Sequence, residues 1–161
     1  MAAVDYFLKI DGVDGDSPDA KHKNEMELDS WSIGATNTAD VGTTGLGAGK
    51  VSFNDLNFVM KVNKASPKLM QACASGEHFK KAVLTCRKAG KDAVEFLKYT
   101  FSDCMVSSFH QGGASTGNIV PLDQVSLAFS KIEDEYKGQK PDGSPDGAVK
   151  GGWDLKANQK V

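Results

Sequence analysis

The sequence predicts a mainly β protein, built as a small barrel or tight sandwich with one short helix against its side. Two observations lead to this prediction. Apolar and polar residues alternate along most of the chain, in about eight segments, as expected for strands with one buried face. Only residues 66–76 have the features of a helix. With about eight strands and one short helix, we expect the strands to enclose one core and the helix to cover one side of it.

The overall composition favours a single domain over residues 1–161. The chain contains 19 basic and 21 acidic residues, and the net charge of −2 argues against non-specific nucleic-acid binding. No apolar run approaches the roughly 20 residues of a membrane-spanning helix. The first residues, MAAVDYFLKIDG, lack the basic and apolar regions of a secretory signal. Three cysteines fit free cytosolic thiols better than a disulfide framework: Cys73, Cys86 and Cys104.

The first half of the chain contains the clearest strand patterns. Residues 4–10 alternate, a turn-rich loop follows over 11–20, and a second strand is predicted over 26–35. Val51 and Phe53 then alternate in one phase, whereas residues 56–62 alternate in the other. A period of two changes phase when one residue is extra, so we predict a β-bulge near Asn54 and Asp55.

The single helix is predicted from its ends as well as from its apolar face. Ser66 is expected to cap the N-terminus, Pro67 suits the first turn, and Gly76 suits the C-terminal stop. One face is expected to pack on the strands and carries Leu69, Met70 and Cys73.

The second half predicts further strands separated by glycine-rich turns. Residues 82–101 read as a hairpin that turns at 88–91, and strands are predicted over 105–109 and 125–129. A second bulge is predicted near Ser130, because Ile132 and Tyr136 fall out of phase with the strand before it. Residues 137–152 are predicted to be a Pro/Gly-rich loop before a short final strand at Trp153 and Leu155.

The glycine-rich segment GTTGLGAGK, residues 42–50, does not match a phosphate-binding loop. Thr44 stands where the first glycine of a P-loop is needed, and Val51 stands where its Ser or Thr is needed. The glycines Gly45, Gly47 and Gly49 also have the wrong spacing for a dinucleotide site, and a strand pattern follows instead of a helix. The segment is therefore interpreted as a loop.

Other candidate sites are weak. Asp14, Asp16 and Glu25 have calcium-loop spacing, but Asp19 occupies the position that needs glycine. Cys104 and His110 suggest a nucleophile and a base, yet an inert buried thiol fits a strand position better. The basic residues near the hairpin lack interleaved aromatics and indicate a solvated face. We predict no catalytic, cofactor-binding or metal-binding residues, and hence no enzyme activity.

Several separated segments, in order, resemble the haemolysin-coregulated protein family, Hcp. They are DYFLKIDGVDGDS, the Trp31 strand, GLGAGKVSFNDLNF, SPKLMQACASGEHFKKAVLTCRKAG, VSLAFSKIEDEY and GGWDLKANQK. The resemblance extends from Ala3 to about Lys160, and no fused toxin domain is expected after the last strand. It implies a phage tail-tube-like fold, a small β-barrel of two packed sheets with one short flanking helix.

The resemblance also implies a role. Hcp proteins are tube subunits of bacterial type VI secretion systems. They form homohexameric rings that stack inside a contractile sheath, and contraction expels the tube with a spike protein at its tip. Some members carry effector proteins in the ring. The protein is then expected in the bacterial cytoplasm and, after contraction, outside the cell or in a target cell, with no membrane anchor and no nucleic acid.

Two surfaces gain candidate roles from this resemblance. A ring-stacking loop is expected at Thr43, Thr44, Gly45, Leu46, Gly47 and Gly49, with Leu46 as its apolar anchor; a loop without any contact is the alternative. Alternation places Ser30 and Ser32 on the side opposite Trp31, which is either the wall of the ring lumen or an ordinary solvent-facing strand.

Two other classes of protein remain as alternatives. A small-molecule-binding β-barrel carrier would need an empty interior, whereas five large aromatic side chains are enough to fill a small barrel: Trp31, Phe53, Phe58, Phe96 and Phe129. A hydrolase would need a nucleophile and a base, and the sequence offers no pair with a reactive context.

Overall fold

The computed structural model describes residues 4–38, 49–89, 93–117 and 120–161. It contains one helix, α1 (Ser66–Ser75), and twelve strands. The strands are β1 (Val4–Ile10), β2 (Met26–Glu27), β3 (Ser30–Ser32), β4 (Ala35–Asn37), β5 (Val51–Phe53), β6 (Leu56–Lys61), β7 (His78–Lys88), β8 (Glu95–Gly112), β9 (Leu122–Ala128), β10 (Lys131–Gln139), β11 (Pro145–Asp154) and β12 (Gln159–Lys160).

The strands form one ten-stranded sheet and one separate two-stranded ribbon, β4–β5. In the large sheet, β8 is the strand that joins two sections. Its first half lies between β7 and β10, and its second half pairs with β9, which continues to β6 and β3. The mainly β class with one short helix and two sheets is confirmed. The described strands do not close into a complete barrel.

The core lies between these sections and follows the alternation of the strands. In β6, Leu56, Phe58 and Met60 are buried, whereas Asn57 and Lys61 are exposed. In β1 and β7, Leu8 pairs with Leu84 and both are fully buried. Period-two patterning therefore predicts correctly which face of each of these strands enters the core.

Helix α1 begins and ends where the sequence predicts, but its contacts differ. Gly76 terminates it in the left-handed conformation with φ 71°, and its N–H donates to the Ala72 carbonyl. Leu69 is fully buried, whereas Met70 is 57% exposed, so the prediction that Met70 packs on the strands is wrong. Leu69 shares the buried side of α1 with Ala72, and Met70, about 100° further around the helix, lies outside it.

The predicted N-cap role of Ser66 is also wrong. Ala65 occupies the cap position and makes no side-chain capping bond. Ser66 is instead buried, donates its hydroxyl to Asp123 in β9 and accepts the N–H of Asn63. Gln111 of β8 donates to the second carboxylate oxygen of Asp123 at 2.9 Å. The start of α1 is thus tied to two strands of the sheet, which satisfies a buried carboxylate.

Neither of the two predicted bulges lies within a strand; both positions are short connections between strands. Asn54 and Asp55 lie between β5, in the ribbon, and β6, in the large sheet. Ser130 lies between β9 and β10. Each change of phase therefore marks the point where the chain moves to a different set of neighbours. Irregular register occurs elsewhere, between Val106 and Ser108 of β8, where the strand passes from one section to the other.

The predicted loop over residues 137–152 is largely a hairpin. β10 and β11 pair from Lys131↔Asp154 to Gln139↔Pro145, and the chain turns at residues 140–144. The glycines in β11 lack the side chains that make a strand pattern visible, so turn composition misled the prediction. The predicted hairpin of β7 and β8 is confirmed.

The segment between β1 and β2 is held on the sheet by charged contacts that the sequence does not reveal. Arg87 of β7 donates to both carboxylate oxygens of Asp19, at 3.1 and 2.7 Å, and to Asp5 at 3.2 Å. Its guanidinium also lies 4.8 Å from the centre of the Phe7 ring. His22 stacks on the same ring and bridges Glu25 and Glu95. These contacts cover Phe7, which is 2% exposed.

We expect Leu69→Ala to lower the free energy of unfolding by about 2–5 kcal/mol, because it leaves a cavity in the core. Ser75→Ala is expected to change it by less than about 0.5 kcal/mol, because that side chain is exposed on the other side of α1. Urea unfolding of both variants measures the difference. Equal midpoints for the two variants would contradict the helix orientation.

We expect Asp19→Asn to destabilise the protein at neutral pH and to lose that effect in acid. The bond from Arg87, with a second from the Lys21 backbone N–H, holds the pKa of the Asp19 carboxyl well below its usual range. A depressed pKa stabilises the folded state above the unfolded-state pKa, and this contribution is lost as the pH falls below about 4. Thermal melts from pH 7 to pH 2 test it, with exposed Asp14→Asn as the matched control. A pH-independent difference in melting temperature would refute the linkage.

Candidate functional site

The clearest candidate surface is the outer face of the four-stranded section formed by β3, β6, β9 and the second half of β8. Strand register places its side chains in two rows of four. One row is Ser30, Val59, Gln124 and His110. The other row is Ser32, Asn57, Ser126 and Ser108. We call these eight residues the polar face.

The opposite side of the same strands belongs to the core. Trp31, Phe58, Val125 and Phe109 lie directly across from one another in the register. Phe58 and Val125 are buried, and Trp31 and Phe109 pack against the core. Trp31 also makes an edge contact with Tyr99, with ring centroids 5.6 Å apart. This packing fixes the direction of β3, so that Ser30 and Ser32 are exposed, as alternation predicts.

The chemistry of the polar face is that of neutral hydrogen-bonding groups. Seven of its eight side chains are hydroxyl, amide or imidazole groups, and none is a carboxylate, an amine or a guanidinium. Ser126 donates its hydroxyl to Asn57, which fixes two of these side chains relative to each other. A shallow depression of about 380 Å³ lies over the face. Such a surface can form many weak hydrogen bonds without strong attraction for either sign of charge.

Both lateral edges of this section are open within the described part of the chain. β3 pairs with β6 on one side and with no described strand on the other. β7 accompanies β8 only as far as Met105, so the 106–112 part of β8 pairs with β9 alone. An unpaired edge carries free N–H and C=O groups and can pair with another chain.

Most of the predicted ring-stacking loop lies outside the described residues, namely Thr43, Thr44, Gly45, Leu46 and Gly47. Gly49 is described and lies next to the ribbon, where its carbonyl accepts a bond from Asn37 at 3.1 Å. A Cβ atom on Gly49 would overlap with Thr38. Glycine is therefore required there by a close approach of two backbone segments.

The structure gives no geometric support to the Cys104–His110 pair. Cys104 is fully buried and His110 is exposed on the polar face. Burial raises the pKa of the Cys104 thiol to about 12, which keeps it in the unreactive protonated form. Glu25 of the calcium-like spacing bonds to His22, and among the described residues no cluster of three metal-ligating side chains occurs. α1, the helix of the described chain, has ten residues and is too short to cross a membrane.

Sequence reasoning missed most of the polar face. The alternation of residues 56–62 predicts that residues 57, 59 and 61 face outward. Which residues of other strands lie beside them depends on strand order, which alternation does not give. Asn57, Ser108, Gln124 and Ser126 come together only because β6, β9 and β8 pair in this register. Alternation within a strand carries no information about which strands become neighbours.

Comparisons with a family model and with individual proteins point to the same family. A family model described as "Type VI secretion system effector, Hcp" matches residues 7–136. The chain is 42% identical over 159 residues to Protein hcp1 of Pseudomonas aeruginosa, covering 97% of this chain and 98% of that protein.

Solved structures agree with the sequence match. The crystal structure of Hcp1 from Salmonella typhimurium has a TM-score of 0.81 and 40% identity, covering 99% of this chain and all of that one. A structure described as a type six secretion system protein has a TM-score of 0.94 and 33% identity, with the same coverage. This chain therefore belongs to the Hcp family of type VI secretion system proteins.

Proposed function

We propose a specific assembly for this type VI secretion tube protein: a homohexameric ring, stacked with other rings into a tube. A contractile sheath expels the tube, with a spike protein at the tip and effector proteins in the lumen. Family membership supports the role in type VI secretion. The observation that carries the assembly is the combination of two open strand edges with a polar face between them.

Ring closure gives both open edges a partner. The edge of β3 in one subunit can pair with the 106–112 edge of β8 in the next, because both edges belong to the same four-stranded section. Repetition of one such contact between unlike surfaces generates a closed ring when the rotation per subunit divides the circle. Closure also removes the exposed edges that would otherwise promote aggregation.

In such a ring the polar face of every subunit joins those of its neighbours into one wall. We assign this wall to the lumen, with Ser30 and Ser32 in its two rows. Short neutral side chains leave space for a folded cargo protein and offer it weak hydrogen bonds. The eight side chains of the polar face include no carboxylate, amine or guanidinium, so they can bind cargo through weak hydrogen bonds.

The loop after β4 is assigned to contacts between rings. The ribbon that supports it is short and separate from the large sheet, with three residues in each strand. A two-stranded ribbon is only marginally stable by itself. Contact with a neighbouring ring would add the packing that the ribbon lacks, with Leu46 as its apolar anchor.

A small-molecule carrier is not favoured. The interior that a carrier would keep empty is filled by large side chains, including Phe58, Phe101, Leu84 and Leu127, all buried. As an Hcp protein, this chain is a structural component of a secretion system. We place it in the bacterial cytoplasm before contraction and outside the cell, or in a target cell, afterwards.

We expect the purified protein to have six times the mass of the chain in native mass spectrometry at micromolar concentration. The reason is that two open strand edges are protected only after the ring closes. Monomers or dimers alone under these conditions would count decisively against the proposed ring.

We expect Ser32→Glu to leave the hexamer intact and to reduce co-purification of an effector protein. The substitution places a longer, charged side chain in the neutral lumen wall. Ser115→Glu, at an exposed position between β8 and β9, is the matched control for adding one carboxylate. Unchanged cargo recovery from intact Ser32→Glu rings would show that this face is not the cargo surface.

We expect Leu46→Asp to weaken stacking while rings persist, because it places a charge in a contact that excludes water. Rings, tubes and secretion are to be scored separately for the same variant, by native mass, electron microscopy and export from cells. Normal tubes and normal export would show that the loop is an ordinary surface segment with no role in stacking.

A further inference from the structure

Helix α1 presents an apolar stripe to solvent. Pro67, Met70 and Ala74 follow one another at helical spacing and are all exposed, and Met70 is 57% exposed. The opposite side of α1, with Leu69 and Ala72, is fully buried against the sheet. We call the three exposed residues the helix stripe. Nothing in the described chain covers it.

An apolar groove of about 730 Å³ lies between the β4–β5 ribbon and the inner face of the β10–β11 hairpin. Val51 and Phe53 line it from the ribbon, and Ile132 and Trp153 line it from the hairpin. Beyond the Asp134–Gly151 pair, the same hairpin face carries Tyr136 and Val149. These two residues lie directly opposite each other and are 52% and 69% exposed.

The charges around the two surfaces are opposite. Residues 61–81, which contain α1, include five lysines and one glutamate. Residues 131–154, which form the hairpin, include six carboxylates and four lysines, and Asp134 lines the groove. Complementary charges favour the approach of the helix stripe to the groove over the approach of two like surfaces.

The two surfaces of one chain cannot meet each other. Helix α1 lies against the second half of β8. Its start is tied through Asp123 to Gln111, and His78, shortly after its end, pairs with Met105. The groove lies by Tyr99, and Tyr136 pairs with Leu97. Gln111 and Leu97 are separated by roughly 45 Å of strand at about 3.3 Å per residue. Two unlike surfaces at opposite ends of a subunit suit a head-to-tail contact between copies.

We propose that the helix stripe of one subunit docks into the groove of the next copy of this chain. Met70 enters the apolar groove beside Ile132 and Trp153. This contact lies beside the pairing of strand edges and closes the ring from its outer side. It rests on the proposed hexameric assembly and adds the residues that bring neighbouring subunits together. A flexible methionine is well suited to fill an irregular groove.

The test is a covalent link between copies. The double variant Met70→Cys/Tyr136→Cys, treated with a short bis-maleimide, is expected to give a ladder of covalent oligomers up to the hexamer. Each single variant is expected to give no ladder beyond the background from the native cysteines. The matched control is Met70→Cys/Val161→Cys, because Val161 is 56% exposed beside Glu133 and Gly152, on the other face of the hairpin.

Disruption of either surface gives an independent measurement. Met70→Glu and Tyr136→Glu are each expected to cause loss of the hexamer in native mass spectrometry, with unchanged circular dichroism, whereas Val161→Glu retains it. Hexamers that persist in both glutamate variants, or a ladder in the Val161 control equal to that of the Tyr136 pair, would overturn the docking. Wild-type protein that is monomeric would overturn the ring itself, whereas wild-type hexamers without the ladder would overturn this contact alone.

Discussion

The continuity of β8 is the constraint on which the rest of the structure depends. This strand runs for 18 residues and has different neighbours along its two halves. The first half anchors β7 and the β10–β11 hairpin, and the second half anchors β9, β6 and β3. One backbone therefore aligns two sections that enclose the core. The register shift after Val106 leaves Ser107 without a partner in β9 and bends the strand close to the point where its neighbours change.

This arrangement separates the surfaces of the molecule by chemistry. In the four-stranded section, apolar side chains face the core, and neutral polar side chains face outward between two open edges. At the far end of β8, the hairpin extends past the core and leaves apolar side chains exposed. A protein that acted alone would bear the cost of exposing these edges and side chains to water, whereas a ring covers them.

The contacts made by α1 show how a small helix gains a second role. Its buried side is fixed by Leu69 and by the bond from Ser66 to Asp123, which leaves its orientation little freedom. Met70 is then directed outward by helical geometry alone. The same packing that stabilises the subunit thus presents an apolar side chain to its surroundings.

The sequence by itself determined the mainly β class, the position of α1, the buried face of most strands and the family. Period-two alternation, glycine at a helix end and ordered segments of family resemblance are local signals, and they are readable without any partner strand. Only the tertiary structure decided that residues 137–152 form a hairpin, that Met70 is exposed and Ser66 bonds to Asp123, and that Ser30 and Ser32 share a face with His110 and Gln124. These features depend on contacts between residues far apart in the chain, and local patterning does not specify which strands become neighbours.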